Sequence, residues 1–337
     1  MFRILHDTSY DFIKYWKHAV IATIAFIVVG FAFMGYHKVR TGRAVNYSIE
    51  FTGGTLVQLK FATAPGADAV RGAVDAAGFH SAEITEFGSP TEYTVRAQVV
   101  SGEGAANVDS AGVQIKRALE QRLGAANTVQ IQRTESVGAR VGQELQSKAL
   151  IALLISFAVT LIYLAFRFEW RFGAAAVAAT AHDLITTLAF LSMLHLEVSL
   201  TVVAALLTVV GYSLNDTIII FDRVRENLRK ARKESLRDVL NRSINETLPR
   251  SILTHATTLA ATLALLVFAG EVIRPFSWIM AFGIFTGTFS SIYVAGALLL
   301  WIERKWPRDS GETKGTQRAL AEGRRRERSD AAPVGTP

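Results

Sequence analysis

The stretch Val198–Phe221, VSLTVVAALLTVVGYSLNDTIIIF, holds one charged side chain, Asp216, in 24 residues. A helix rises about 1.5 Å per residue, so about 20 apolar residues cross a hydrocarbon core of about 30 Å. The stretch therefore predicts a membrane-spanning helix with a carboxylate inside it. Reading outward from it, five similar stretches complete the set: Ala19–Met34, Ala149–Phe166, Phe172–Met193, Ser251–Ala269 and Phe276–Leu300. The expected fold class is a membrane all-α bundle of six transmembrane helices with an inserted, outward-facing α+β domain of ferredoxin-like order.

Composition agrees with that class. Half of the 337 residues are hydrophobic, 19% are charged, and the mean hydropathy is +0.27. Cysteine is absent, which excludes disulfides, thiol catalysis and thiolate metal sites. The net charge of +7 is read first as topology, because Lys and Arg in short loops mark the cytoplasmic side. The first span follows Arg3, Lys14 and Lys17 and reads as an uncleaved anchor. With the N-terminus in the cytoplasm, Arg167 and Arg171, the basic segment Asp222–Arg250 and the tail with Arg324, Arg325, Arg326 and Arg328 share that side. The opposite loops, Leu194–Glu197 and Gly270–Pro275, hold Arg274 as their only Lys or Arg.

The resulting division is a cytoplasmic segment at 1–18, the first helix at 19–35, an outward domain at 36–148, helices two to six at 149–301 and a basic tail at 302–337. The tail has the composition of a disordered segment, with anionic lipid as its expected partner and no nucleic acid expected. Apolar residues at spacings of three to five between 222 and 247 predict a basic amphipathic helix along the membrane surface. Within the insert, Tyr47–Phe51 and Thr55–Phe61 read as a hairpin about Thr52-Gly53-Gly54. A helix at Ala67–Ala77, strands near Ala82–Phe87 and Tyr93–Val100, a helix at Asn107–Leu123 and a strand at Thr128–Thr134 follow. After the first hairpin strand this is β-α-β-β-α-β, the split βαβ order.

The sequence lacks G-x-x-x-x-G-K-[ST], and no histidine is partnered with a nucleophile on a recognisable elbow, so no enzymatic activity, cofactor or metal is expected. The chemistry rests on ionisable groups inside spans, which are expensive there and face the bundle interior. Asp216 is the first of them. Arg250, opening the fifth span after Pro249, is its expected counter-charge. Burial favours a neutral carboxyl and a guanidinium favours a charged one, so a group between the two can exchange a proton. A permanent ion pair, or a hydrogen bond to Asn215 or a hydroxyl, is the equal alternative. His182 and Asp183 read either as polar packing or as part of a proton path, and His255, a little over one turn beyond Arg250, likewise. Two stripes of small residues, Gly283, Gly287, Ser291 and Ala295, and Ala256, Ala260 and Ala264, predict close helix packing.

Taken in order, these segments resemble the SecF family, the smaller subunits of the SecD–SecF protein-export complex in the resistance-nodulation-division superfamily. The resemblance rests on Phe51-Thr52-Gly53-Gly54-Thr55, Val137-Gly138 with Val141-Gly142, Phe166 through Phe172, His182-Asp183, Gly211 through Arg223, Thr247-Leu248-Pro249-Arg250-Ser251, and Gly287-Thr288 with Ser290-Ser291. It implies that Asp216 and Arg250 stand where the family couples proton flow to movement of its outward domain. It also implies SecD as an obligate partner, the SecYEG channel as the machine served, unfolded preprotein as the object handled, and residence in the bacterial cytoplasmic membrane. Two positions depart from the pattern: Glu50 stands where Asp is usual, and His255 where a small hydroxyl residue is usual. A passive assembly scaffold and half of a small-molecule exporter are the rival functions.

Overall fold

A computed structural model describes residues 8–79, 82–97, 108–124, 127–230, 234–270 and 272–307. Arg3 and the basic tail with Arg324 to Arg328 lie outside them. Six helices are long and apolar enough to cross a membrane. The first, α1 (Trp16–Thr41), follows a 3₁₀ turn at Phe12–Tyr15 and ends at Gly42, whose φ of 76° closes it as a left-handed cap. After the insert come α5 (Ala139–Arg167), α6 (Trp170–Met193), α7 (Leu200–Lys230) and α8 (Leu236–Phe268). The last span is continuous in direction but not in winding: α9 (Arg274–Phe289), a π-helical turn at Ser290–Val294, then α10 (Ala295–Lys305). Helices α6, α7 and α9–α10 form the buried centre of the bundle, while α1, α5 and α8 present most of their length outward.

The insert contains β1 (Asn46–Tyr47), one helical turn α2 (Ile49–Thr52), β2 (Gly54–Phe61), α3 (Ala67–Ala76), β3 (Glu83–Phe87), β4 (Ser89–Ala97), α4 (Val108–Leu123) and β5 (Val129–Val137). The four longer strands form one antiparallel sheet in the order β3-β4-β2-β5. One face is a core of Val57, Leu59, Phe61, Tyr93 and Val95 against Val70, Val74, Ile115 and Leu119 of the two helices. Alternation along β2 explains this, because residues two apart share a face.

Two expectations are corrected here. Tyr47–Phe51 is not a hairpin strand. Gly53, at φ 71°, ends a helical turn, and the short β1 pairs in parallel with β6 (Glu197–Val198) in the loop between α6 and α7. Nor do residues 222–247 form one helix on the membrane surface. At about 1.5 Å per residue, the 31 residues of α7 and 33 of α8 both outrun a core of about 30 Å. Their ends continue as a helical pair beyond it. Val224, Val239, Leu240 and Ile244 face the bundle and are essentially inaccessible, and Arg223 bridges to Glu246 (2.5 Å) while Asn227 donates to Ser243 (3.0 Å). The amphipathic pattern was real; its apolar face meets protein rather than lipid. Helix α8 also runs through Pro249 without a break.

At the junction of insert and bundle, Arg96 pairs with Glu197 (2.6 Å) and Glu83 (3.0 Å), and His37 stacks on His195 at 4.1 Å between ring centroids. Burial holds the Glu197 carboxyl above the ordinary carboxylate range, with Arg96 offsetting only part of the effect. A carboxyl raised in this way is protonated more readily in the folded chain than in the unfolded one. Its contribution is therefore most favourable at pH below the ordinary value and is lost as pH rises through the folded value. Glu197→Gln should flatten that part of the stability–pH profile, and thermal denaturation series of the two proteins across the acidic range would show it. Parallel profiles would refute this account of Glu197.

Candidate functional site

Asp216 lies at the middle of α7 and is 4% exposed. Its partners are two hydroxyls. Ser251 of α8 donates to Oδ1 at 2.5 Å, and Ser291 of the π turn donates to Oδ2 at 2.6 Å. Arg250 is not among them. Its side chain is exposed and makes no ion pair among the described residues, so the expected counter-charge is corrected. Consecutive helical residues point about 100° apart, and with Ser251 turned toward α7, Arg250 is carried off the shared face. Asn215 is turned outward for the same reason.

A second carboxylate lies in the same interior. Asp183 of α6, 1% exposed, accepts from Ser213, one turn before Asp216 on α7, and its other oxygen lies 3.0 Å from His182 Nδ1. His182 and Asp183, adjacent in sequence, are thus directly bonded to each other. The far ring nitrogen of His182 is buried without a partner among the described residues.

The π turn meets Asp216 directly and the helix of Asp183 through its backbone. Its wider i→i+5 winding, closed by the Ala295 N–H on the Ser290 carbonyl, allows two consecutive serines to face inward, and both are inaccessible. Ser291 serves Asp216, while Ser290 donates to the Ala179 carbonyl (3.5 Å), one turn before Asp183 on α6. His255 is also buried: its Nδ1 lies 2.5 Å from the Ser251 carbonyl, and its ring packs edge-on against Tyr212. It therefore touches the residue that holds Asp216 rather than Asp216 itself.

This arrangement serves both protonation states of a carboxyl. A hydroxyl is one donor and two acceptors on a free rotor. Ser251 and Ser291 can both donate to an ionised Asp216, or one can turn and accept from a protonated one. Among the described residues, no three His, Asp or Glu side chains gather as a metal site. Sequence reading placed Asp216, Asp183, His182 and His255 in the interior. It held a hydroxyl partner for Asp216 open but did not name the serines: Ser291 was legible only as a packing residue, and the available signal was a run of Ser-Ser on a stripe otherwise made of Gly and Ala.

The packing stripes divide. Gly283, Gly287, Ser291 and Ala295 are buried against neighbours of this chain, whereas Ala256, Ala260 and Ala264 are exposed on α8. Exposed small and polar residues also line α7 at Thr201, Ala204, Thr208, Gly211 and Asn215, at spacings of three and four.

Comparison with known proteins meets this geometry at both ends. A model described as the C-terminal part of the protein export membrane proteins SecD/SecF matches residues 118–305, and one for the SecD/SecF GG motif matches residues 41–65. The protein translocase subunit SecF of Gemmatimonas aurantiaca is 59% identical over 311 residues, covering 91% of each chain. That of Vibrio alginolyticus is 42% identical over 304 residues, covering 89% of this chain and 92% of the relative. The crystal structure of SecDF from Thermus thermophilus, described as a translocon-associated membrane protein, aligns with a TM-score of 0.77 at 34% identity over 90% of this chain. The chain spans 40% of that longer protein. With a buried carboxylate framed by matching segments and relatives aligned over nine-tenths of its length, the chain belongs to the SecF family of protein-translocase subunits.

Proposed function

We propose that the chain works with a second, SecD-type set of six helices as a proton-driven unit that assists late steps of preprotein export through the SecYEG channel, and that it does so without enzymatic chemistry. The observation that carries this reading is Asp216: a buried carboxylate whose partners are rotatable hydroxyls, with no fixed cation among the described residues. A permanent ion pair would hold one charge state; two serines favour neither by geometry. Asp183, His182 and His255 provide further polar positions in the same interior through which a proton path can run. The insert, with its β3-β4-β2-β5 order, is assigned to the ferredoxin-like arrangement on the outward side of the bacterial cytoplasmic membrane, with both termini in the cytoplasm. The partner helices are assigned to the outward face of α7 and α8, where Asn215, Arg250 and two rows of small residues would otherwise stand in lipid; a charged group there costs about 2.5 to 3.5 kcal/mol on insertion scales.

Export of a preprotein into inverted membrane vesicles, with and without a proton gradient, tests the coupling when the side chain at 216 is neutral. The orientation is tested separately. Because the chain contains no cysteine, single substitutions can be labelled with an impermeant thiol reagent on intact spheroplasts. Arg71→Cys on α3 should react from outside, and Arg229→Cys near the far end of α7 should react only after lysis. The opposite pattern would invert the topology.

A further inference from the structure

Besides Glu197, the connection between insert and bundle holds a carboxylate that the proton chemistry does not use. Glu50 lies in the single helical turn before Gly53 and Gly54. Its Oε2 accepts from the backbone N–H of Leu200 at 2.6 Å and from the Ser48 hydroxyl at 3.3 Å. Leu200 is the first residue of α7, 150 positions along the chain. The first N–H groups of a helix have no acceptor within it, and that end carries the positive pole of the helix dipole. Ser199 supplies the local cap, accepting from Val202 N–H at 3.3 Å. Glu50 supplies a second acceptor, and it comes from the insert.

The turn bearing Glu50 is itself fixed. A Cβ on Gly53 would stand 2.7 Å from the Ala139 Cα, and one on Gly142 would stand 2.9 Å from the Phe51 carbonyl oxygen, so α2 lies in backbone contact with the first turn of α5. Two residues upstream, β1 pairs with β6, which runs directly into α7. The insert is thereby fastened to the starts of two spanning helices, and among the described residues the side-chain hydrogen bond in that fastening that reaches α7, the helix of Asp216, is made by Glu50.

We infer that Glu50 is a positioning residue that latches the insert to the N-terminus of α7, so that axial or tilting movement of α7 is passed to the insert as rigid motion. The inference takes the source of that movement, a change of protonation at Asp216, from the proposed function; the latch itself is measurable without it.

The test uses the full chain assembled with its six-helix partner, carrying nitroxide labels at Arg71→Cys on α3 and Phe268→Cys at the insert-side end of α8. Pulsed electron-electron resonance then reads the distance distribution between insert and bundle. With Glu50 in place the distribution should be narrow. Glu50→Ala should broaden it and abolish the gradient-stimulated part of export, while Glu50→Gln, which still offers an oxygen to Leu200, should keep most of both. Leu200→Pro removes the N–H donor from the other side of the contact. Proline suits the first position of a helix, so α7 should persist and the distribution should broaden as with Glu50→Ala, including where Glu50→Ala itself fails to assemble. A wild-type width in Glu50→Ala or in Leu200→Pro overturns the latch. Retention of gradient stimulation in Asp216→Asn would instead overturn the proton-driven reading, and the widths would still decide the latch.

Discussion

Asp216→Asn should leave assembly and abundance unchanged and remove the gradient-dependent component of preprotein export, leaving the gradient-independent component. The expectation that the bundle survives follows from the partners of the carboxylate. An amide offers one acceptor oxygen and one donor NH₂, so either Ser251 or Ser291 keeps donating while the other turns to accept, and no buried polar atom is orphaned. Had Arg250 been paired with Asp216, the same substitution would have left a buried cation alone, a change that typically costs about 3 to 5 kcal/mol. Arg250 is exposed instead, so stability and coupling are separable at this position. What the amide cannot do is release and rebind a proton. Vesicles carrying Asp216→Asn at normal levels, compared with and without a proton gradient, give the answer. Full gradient stimulation would make Asp216 a structural polar residue and would end the proton-driven reading.

The contrast between Asp216 and Arg250 also shows what was legible before the structure. Six apolar stretches with two intramembrane carboxylates, Asp183 and Asp216, sufficed for the spans and for the centre of the candidate site, because bilayer thickness and the expense of a buried charge act on composition alone. The β-α-β-β-α-β order of the insert was legible from changes of hydrophobic period, and the observed elements differ from the expected ones mostly by a few residues at their ends. Pairing was not legible. Whether Arg250 or Ser251 meets Asp216 depends on a helical rotation of about 100°, which the packing of α8 sets and its own sequence does not. The π turn is a tertiary effect of the same kind: nothing in SSIYV (290–294) announces an i→i+5 turn. The segment 222–247 failed differently. A helix with one apolar face reads identically whether lipid or protein covers that face, and only the fold identifies the cover.

The packing that holds Ser291 against Asp216 should be the most sensitive non-ionisable feature of the bundle. Gly283 of α9 faces Val209 of α7 so closely that a Cβ at 283 would overlap Val209 Cγ2 and stand 2.7 Å from Cγ1 and 3.1 Å from the valine Cβ. One turn on, Gly287 faces Ser213, the donor to Asp183. Small residues at these positions let the two backbones approach, as helix contacts in a membrane require where apolar burial supplies no driving force between helices. Gly283→Ala must therefore push α9 away from α7 or force Val209 from its rotamer, at about 1 to 3 kcal/mol for overpacking. Because the π turn follows directly on α9, the displacement also carries Ser291 away from Asp216, and export should fall together with thermal stability in detergent. Val209→Ala removes the two methyl groups that meet the new Cβ first. Each single substitution should destabilise, and the double variant should be more stable than their sum by roughly 0.5 to 3 kcal/mol, the range for residues in direct contact, with part of the export activity restored. Strict additivity in thermal denaturation of the four proteins would mean that α7 and α9 do not meet at this pair, and with it would go the geometry that places Ser291 on the Asp216 carboxylate.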